Sequence, residues 1–417
     1  MVVLEPLREG VGFLLSGATG LAAGYVLSRS APERYPLAFL LPLKVLGAWA
    51  FGWLYASYYC FGDTLKVYLT AQRIAHYLGE SPEIGLALLL REFSSRWEAI
   101  GWQIFYKDAA LFGYDYEWSE PSNYNFYRLS VVFYLLGGGS YYGLQGMYAV
   151  VGGILLYWAW RGWAELGPLP KVGIWVWMGL PSSLFWISGA LRDTLALPLM
   201  LYSAALLARG TLREGVRSLP FLALGYFLRP ESVAVALGGA LLYRLGSFYL
   251  TLAGAVGAAL VLLPYGIAPW AYQYRSWALD PRMYPELPTA SVFYINFQLT
   301  FWGSWGAWLQ ALLHVLWGPF PWHIHRLREL VYASEVWVLS SLGVWLSAYA
   351  TKWRSWNRRA FLLMAFGLFI LGVIGLATPY WGSLARQRLY GLYWMLLGVG
   401  MAFGKALEQR QNAFGQP

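Results

Sequence analysis

The sequence predicts an all-α, polytopic integral membrane helix bundle, with about 11 transmembrane helices and a helical first external loop. Three observations lead there. Of 417 residues, 58% are hydrophobic and 12% charged, against about 25% charged in a typical soluble domain. Several apolar runs reach about 18 residues, the length that crosses a bilayer core. Most charges lie in the segments between those runs, and the balance of 62–128 (−3) is opposite to those of 209–217 and 351–359, as the positive-inside rule leads one to expect.

The elements follow in order. Residues 11–28 are an apolar helix rich in Gly and Ala, suited to close helix packing. The start, MVVLEPLREG, lacks a basic region and a small-residue cleavage site, so this helix is expected as a retained span. Residues 36–61 form a second span, interrupted by Lys44. The longest polar section, 62–128, carries six basic and nine acidic residues, a balance of −3, and is placed outside. Within it, TLKVYLTAQRIAHYL (64–78) has apolar residues at helical spacing and reads as an amphipathic helix on the interface. IGLALLLREF and SRWEAIGWQIFY read as further short helices, and YDYEWSEPSNYNFY as an aromatic, acidic loop.

Residues 129–163 provide one net crossing, broken by GGGS at 137–140. Residues 171–189 cross next and 194–208 return. RGTLREGVR (209–217) carries a balance of +2 and reads as cytoplasmic. Residues 218–243 are apolar around Arg229, Pro230 and Glu231; 248–268 is a span and 269–295 a loop containing Pro and Tyr. The path from 218 to 317 admits either three full spans or a broken helix pair with a re-entrant piece. Residues 297–317 and 331–350 are apolar, on either side of GPFPWHIHRLREL. TKWRSWNRR (351–359) holds four basic residues and no acid, the clearest cytoplasmic loop. Residues 360–378 and 389–404 cross on either side of a turn at 380–388.

Composition also narrows function. The +9 net charge suits the positive-inside rule and arginines that hold phosphate, rather than nucleic acid. The 24 Trp and 31 Tyr suit interfacial belts and core packing, and also stacking on sugar rings. One cysteine, Cys60, excludes a disulfide framework or zinc–cysteine site within the chain. Walker-type loops, GxSxG elbows and HExxH motifs are absent from the sequence.

The candidate site residues are charges where apolar runs end. Asp63 sits where the second span leaves the membrane; it could deprotonate a sugar hydroxyl or cap the following helix. In PSSLFWISGALRD (181–193), the run ends in Arg192 and Asp193. Arg192 offers a fork of donors to a phosphate or pyrophosphate; the structural alternative is an ion pair with Asp193. Arg229 and Glu231 suggest a site or a snorkelling pair. Arg386 and Arg388 fall outside on this topology, against the positive-inside rule, which points to a phosphate or headgroup partner. Trp322 and His323 belong to the PFPWHIH stretch; His323 and His325 do not share a helical face, and no metal site is expected.

Asp63 after an early span, with Tyr68 and Ala71 on a surface helix, resembles the first outer loop of the GT-C superfamily of membrane glycosyltransferases. PSSLFWISGALRD, LRPE (228–231) and ARQRLYGLYW (385–394) resemble bacterial members of that group, including polysaccharide-polymerase-like proteins of the EpsG and Wzy type. PFPW followed by Glu335 on the next helix is similar to other bacterial proteins of this kind. The motifs are short and scattered over most of the chain. Many GT-C enzymes carry a second acid after the first; here Thr64 follows Asp63.

The resemblance implies a lipid-linked sugar donor (polyprenyl phosphate or pyrophosphate) and a glycan or protein acceptor, at the external face of a bacterial inner membrane. It implies Asp63 as base, Tyr68, Asp193, Arg229 and Glu231 as substrate-binding, and Arg192 with Arg386 or Arg388 on the phosphate. The aromatics of 114–127 and Trp322 would pack on sugar faces, and His323 would bind substrate. No cofactor is required, although a divalent cation is left open, as is any oligomer or complex. The competing class is a non-enzymatic membrane subunit or transporter-like protein, whose embedded charges pair as structural contacts.

Overall fold

The computed structural model describes residues 5–30, 34–59, 63–90, 121–245, 248–279, 292–324 and 327–414. The helix expected at 95–106, the first half of the aromatic loop at 114–127, Cys60 and His325 lie outside them. The described residues are helical, with no named strand among them; Val292 and Tyr380 form an isolated antiparallel bridge. Among them, three helical stretches are long and apolar enough to cross a membrane: Pro6–Arg29, Pro36–Ser57 and Arg358–Ala377. These coincide with three of the expected spans.

The chain divides into two compact units. Unit 1 comprises Met1–Ala159, Ser183–Ser203 and Arg217–Val235; unit 2 comprises Trp160–Ser182, Ala204–Val216 and Ala236–Pro417.

In unit 1, α1 (Pro6–Ser30) packs along α2 (Arg34–Trp53), which ends in a π-helical turn, Leu54–Tyr59. Helix α3 (Asp63–Glu80) has the predicted amphipathic spacing, and its apolar face (Leu65, Val67, Tyr68, Ala71, Ile74) is buried. Protein covers that face: α4 (Pro82–Leu90) and α5 (Pro121–Leu136) pack on it. GGGS breaks the next span as expected. Gly138 and Gly139 take φ values of 70° and 71°, which residues with a Cβ adopt only at a cost. Helix α6 (Tyr141–Ala164) then starts with its first amides satisfied. The Glu9 carboxylate accepts from the Tyr141 and Tyr142 amides at 3.0 Å each, and Ser140 Oγ accepts from Gly143 N at 2.7 Å.

The expected crossing at 171–189 is not one helix. Helix α7 (Gly173–Gly179) and the short α8 (Pro181–Phe185) are followed by turns from Trp186 to Leu191. Leu180–Pro181 interrupts the first helix, because proline disfavours a helical residue before it. Ser182, Ser183, Ser188 and Gly189 then supply polar and flexible positions. Helix α9 (Arg192–Arg209) follows. The apolar run 218–243 is likewise broken at Arg229–Pro230, into α10 (Leu212–Leu228) and α11 (Pro230–Arg244), with Pro230 at the first position of α11.

In unit 2, α12 (Phe248–Leu262) continues through a π-helical turn, Leu263–Ile267, into α13 (Ala268–Ala278), where a loop was expected. The reason is packing: Ala271 and Ala278 are buried, and Ala271 joins a core with Ala307, Ala311 and Leu376. Helices α14 (Phe301–Trp317), α15 (Leu327–Lys352) and α16 (Arg358–Ala377) follow. The turn expected at 380–388 is mostly α17 (Trp381–Gln387), and α18 (Leu389–Phe414) packs along α16.

Candidate functional site

Unit 1 brings together four charges that the sequence singled out, where two helices begin. Asp193 lies in the first turn of α9 and is 1% exposed; Glu231 lies in the first turn of α11 and is exposed. Arg229 joins them. Its Nε is 2.6 Å from Asp193 Oδ1, and its Nη1 donates to Glu231 Oε1 at 2.8 Å. A carboxylate at a helix N-terminus is favoured by the free amides and the helix dipole, so both acids are stabilised twice. Arg192 is half-buried at the start of α9. Asp193 is met by Arg229, contributed from 36 residues along the chain.

The backbone leading into this cluster is irregular and buried, so its polar groups need partners within the protein. Gln145 Oε1 accepts from Ala190 N at 2.7 Å. Thr194 Oγ1 donates to Gly189 O at 2.7 Å, and Ser188 Oγ to Ser183 O at 3.1 Å. Lys44 Nζ donates to Ser183 O at 2.9 Å.

Asp63 is exposed at the first residue of α3. Its neighbour Thr64 is fully buried and shares a 2.8 Å hydrogen bond with the Tyr141 hydroxyl. The helix start is therefore pinned while the carboxylate faces out. Tyr68 is 4% exposed and packs edge-on against Tyr141, with ring centroids 5.4 Å apart. Burial pushes its hydroxyl up to about 12, so it stays protonated at neutral pH and serves unit 1 as a core residue.

Unit 2 holds the other predicted residues. Arg388 is buried, and its Nη2 donates to Ser182 Oγ at 2.8 Å and Glu335 Oε2 at 2.9 Å. Glu335 also accepts from Ser182 N at 2.9 Å and from the Ser182 hydroxyl. The Arg388 guanidinium lies over the Tyr332 ring, 4.5 Å from its centroid. Arg388 also forms the polar end of an apolar recess lined by Leu316, Val336, Leu339, Leu371 and Leu392, and its buried Nε has no hydrogen-bond partner. Arg386, in the last turn of α17, is half-buried. Trp322 is 69% exposed and stacks on Phe320 at 5.0 Å and 14°. His323 is half-buried among Phe320, Trp381 and His314.

Three residues were missed as site or framework groups: Lys44, Ser182 and Arg275. Lys44 had a signal, a lone cation inside an apolar span. Arg275 is buried and meets backbone oxygens: it donates to the carbonyls of Gly375, Leu376 and Thr378, at the end of α16, and to Phe293 O. Burial brings its guanidinium down to about 10, still charged at neutral pH. Among the described residues, no cluster of three His, Cys, Asp or Glu side chains could hold a metal ion. Comparison with protein-family models, with curated proteins and with solved structures finds no match to this chain.

Proposed function

We propose that the chain is a multi-pass bacterial inner-membrane glycosyltransferase. It would move a sugar from a polyprenyl-phosphate or pyrophosphate donor to a glycan or protein acceptor at the external face. The remaining expected spans, to a total of about 11, belong to this proposal. The observation that carries it lies in unit 1. Two interrupted helices place Arg192, Asp193, Arg229 and Glu231 at their starts, with the backbone between α8 and α9 unwound and buried. Interrupted helices bearing ionisable residues are how membrane proteins build sites for charged substrates.

Asp63 supplies a solvent-facing carboxylate in the same unit, the group needed to take a proton from an acceptor hydroxyl. Arg192 supplies the donor fork for the phosphate, which leaves as negative charge develops on it. Exposed Trp322 suits a sugar face, whereas Arg388 is buried and held by Glu335 and Ser182.

The test uses the full chain in nanodiscs with a panel of polyprenyl-phosphate and pyrophosphate sugars, measuring release of the lipid phosphate. Asp63→Asn should lower turnover by at least about 100-fold, and Arg192→Ala should weaken use of the donor. Undiminished product from both variants would remove the proposal.

A second reading, a non-catalytic membrane subunit, is favoured by one observation: Arg229 and Arg388 are already neutralised by acids. Under it, no sugar is transferred. The paired change Arg388→Met with Glu335→Leu should then preserve all function, because replacing both partners of a buried ion pair by apolar residues is often tolerated.

A further inference from the structure

Lys44 is 0% exposed, in a helix long and apolar enough to cross a membrane, and among the described residues no carboxylate pairs with it. An ammonium carries three N–H donors, and here three acceptors surround it: Ser183 O at 2.9 Å, Ser183 Oγ at 3.5 Å and Ile187 O at 3.5 Å. All three belong to the short α8 and the unwound stretch after it. A ring of carbonyl and hydroxyl oxygens without a carboxylate is the donor set that takes a monovalent cation. The helix is also shaped for this contact. A Cβ on Gly47, one turn beyond Lys44, would lie 2.0 Å from Leu184 O. A Cβ on Gly153 of α6 would lie 3.3 Å from Lys44 Cδ, so the lysine stem fills the space that glycine leaves.

We propose that the Ser183–Ile187 turn is a monovalent-cation site whose occupant is the ammonium of the chain's own Lys44, and that this occupancy holds the Trp186–Asp193 backbone in place. The site needs charge as well as volume: Ser188 Oγ still donates to Ser183 O when Lys44 is removed, but a neutral side chain offers the Ser183 and Ile187 oxygens no cation. Its ligand class, once the tether is cut, is a small primary alkylammonium ion. The inference stands whether or not the chain transfers sugars.

The full chain in nanodiscs tests it through Lys44→Ala and Lys44→Met. Thermal unfolding is followed in propylammonium chloride, with sodium chloride, tetramethylammonium chloride and propanol as controls. Propylammonium restores the atoms that truncation to alanine removes. Lys44→Ala should lose at least about 5 °C in Tm; propylammonium should recover most of that loss by binding only the folded form, and the controls should not. Lys44→Met fills the space without the charge and should stay low in every medium.

Hydrogen exchange reports the positioning. Peptides covering 183–194 should exchange faster in Lys44→Ala, and return to the parent rate with propylammonium. A Lys44→Met chain as stable as the parent overturns the proposal. So does a Lys44→Ala chain, folded or misfolded, on which propylammonium acts no better than propanol. Faster exchange spread evenly over the chain would overturn the positioning role.

Discussion

At the scale of single residues, the buried charges in each unit follow different rules. Asp193 and Glu335 meet arginines, so their charge is cancelled where it is expensive. Lys44 and Arg275 meet carbonyl oxygens. Arg275 acts as a cap: the last carbonyls of a helix lack amide partners and carry the negative end of its dipole, and one planar fork serves several of them. A lysine is a point charge with different reach. Arg275→Met should therefore lower stability by about 2–3 kcal/mol, with Arg275→Lys recovering only part. Chemical denaturation in detergent micelles measures both, and full recovery by lysine would show that charge alone suffices. None of these partnerships was legible beforehand. Asp193 meets Arg229, 36 residues away in sequence, because tertiary packing brings distant guanidinium groups to a buried carboxylate.

Elements were easier to read than their interruptions. Apolar length identified Pro6–Ser30, Arg34–Trp53 and Arg358–Ala377, and the 3.6-residue period identified α3. GGGS announced its own turn through its glycines. The break after Phe185 was not foreseen, because Trp186–Leu191 is as apolar as the helices around it. Hydropathy counts side chains, whereas the break depends on Gln145, Lys44 and Thr194 satisfying the backbone. The close approach of α2 to that stretch gives a test at this scale. Gly47→Ala should cost about 1–3 kcal/mol through overpacking. Gly254→Ala on α12, where nothing lies within 4 Å, should be neutral or slightly stabilising, since alanine favours helix over glycine. Equal effects at the two positions, read as Tm shifts, would deny that Gly47 is there for backbone contact.

For the whole molecule, the testable claim is topology. The −3 balance of 62–128 and the uncompensated basic run TKWRSWNRR assign opposite membrane faces. With Cys60 replaced by alanine, a cysteine introduced at Asp63 should react with a membrane-impermeant maleimide in intact cells. One at Arg354 should react only after permeabilisation. No reaction at position 63 in intact cells would break its assignment to the external face and with it the role proposed for that residue; reaction at position 354 in intact cells would break the assignment of the two segments to opposite faces.

Composition and run length by themselves determined that this chain is helical and suited to a membrane, because desolvating a backbone without hydrogen bonds costs too much for any other arrangement of so many apolar residues. The same reasoning marked Arg192, Asp193, Arg229 and Arg388 as charges that needed an explanation. The Arg229–Glu231 contact was open to the sequence as a structural pair; only the tertiary structure decided the rest: Arg229 on Asp193, Arg388 on Glu335 and Ser182, Lys44 on the carbonyls of an unwound turn. The energy of a buried charge depends on groups within a few ångströms of it, and Asp193, Glu335, Ser182 and Ser183 lie 36, 53, 206 and 139 positions along the chain from the cations they meet.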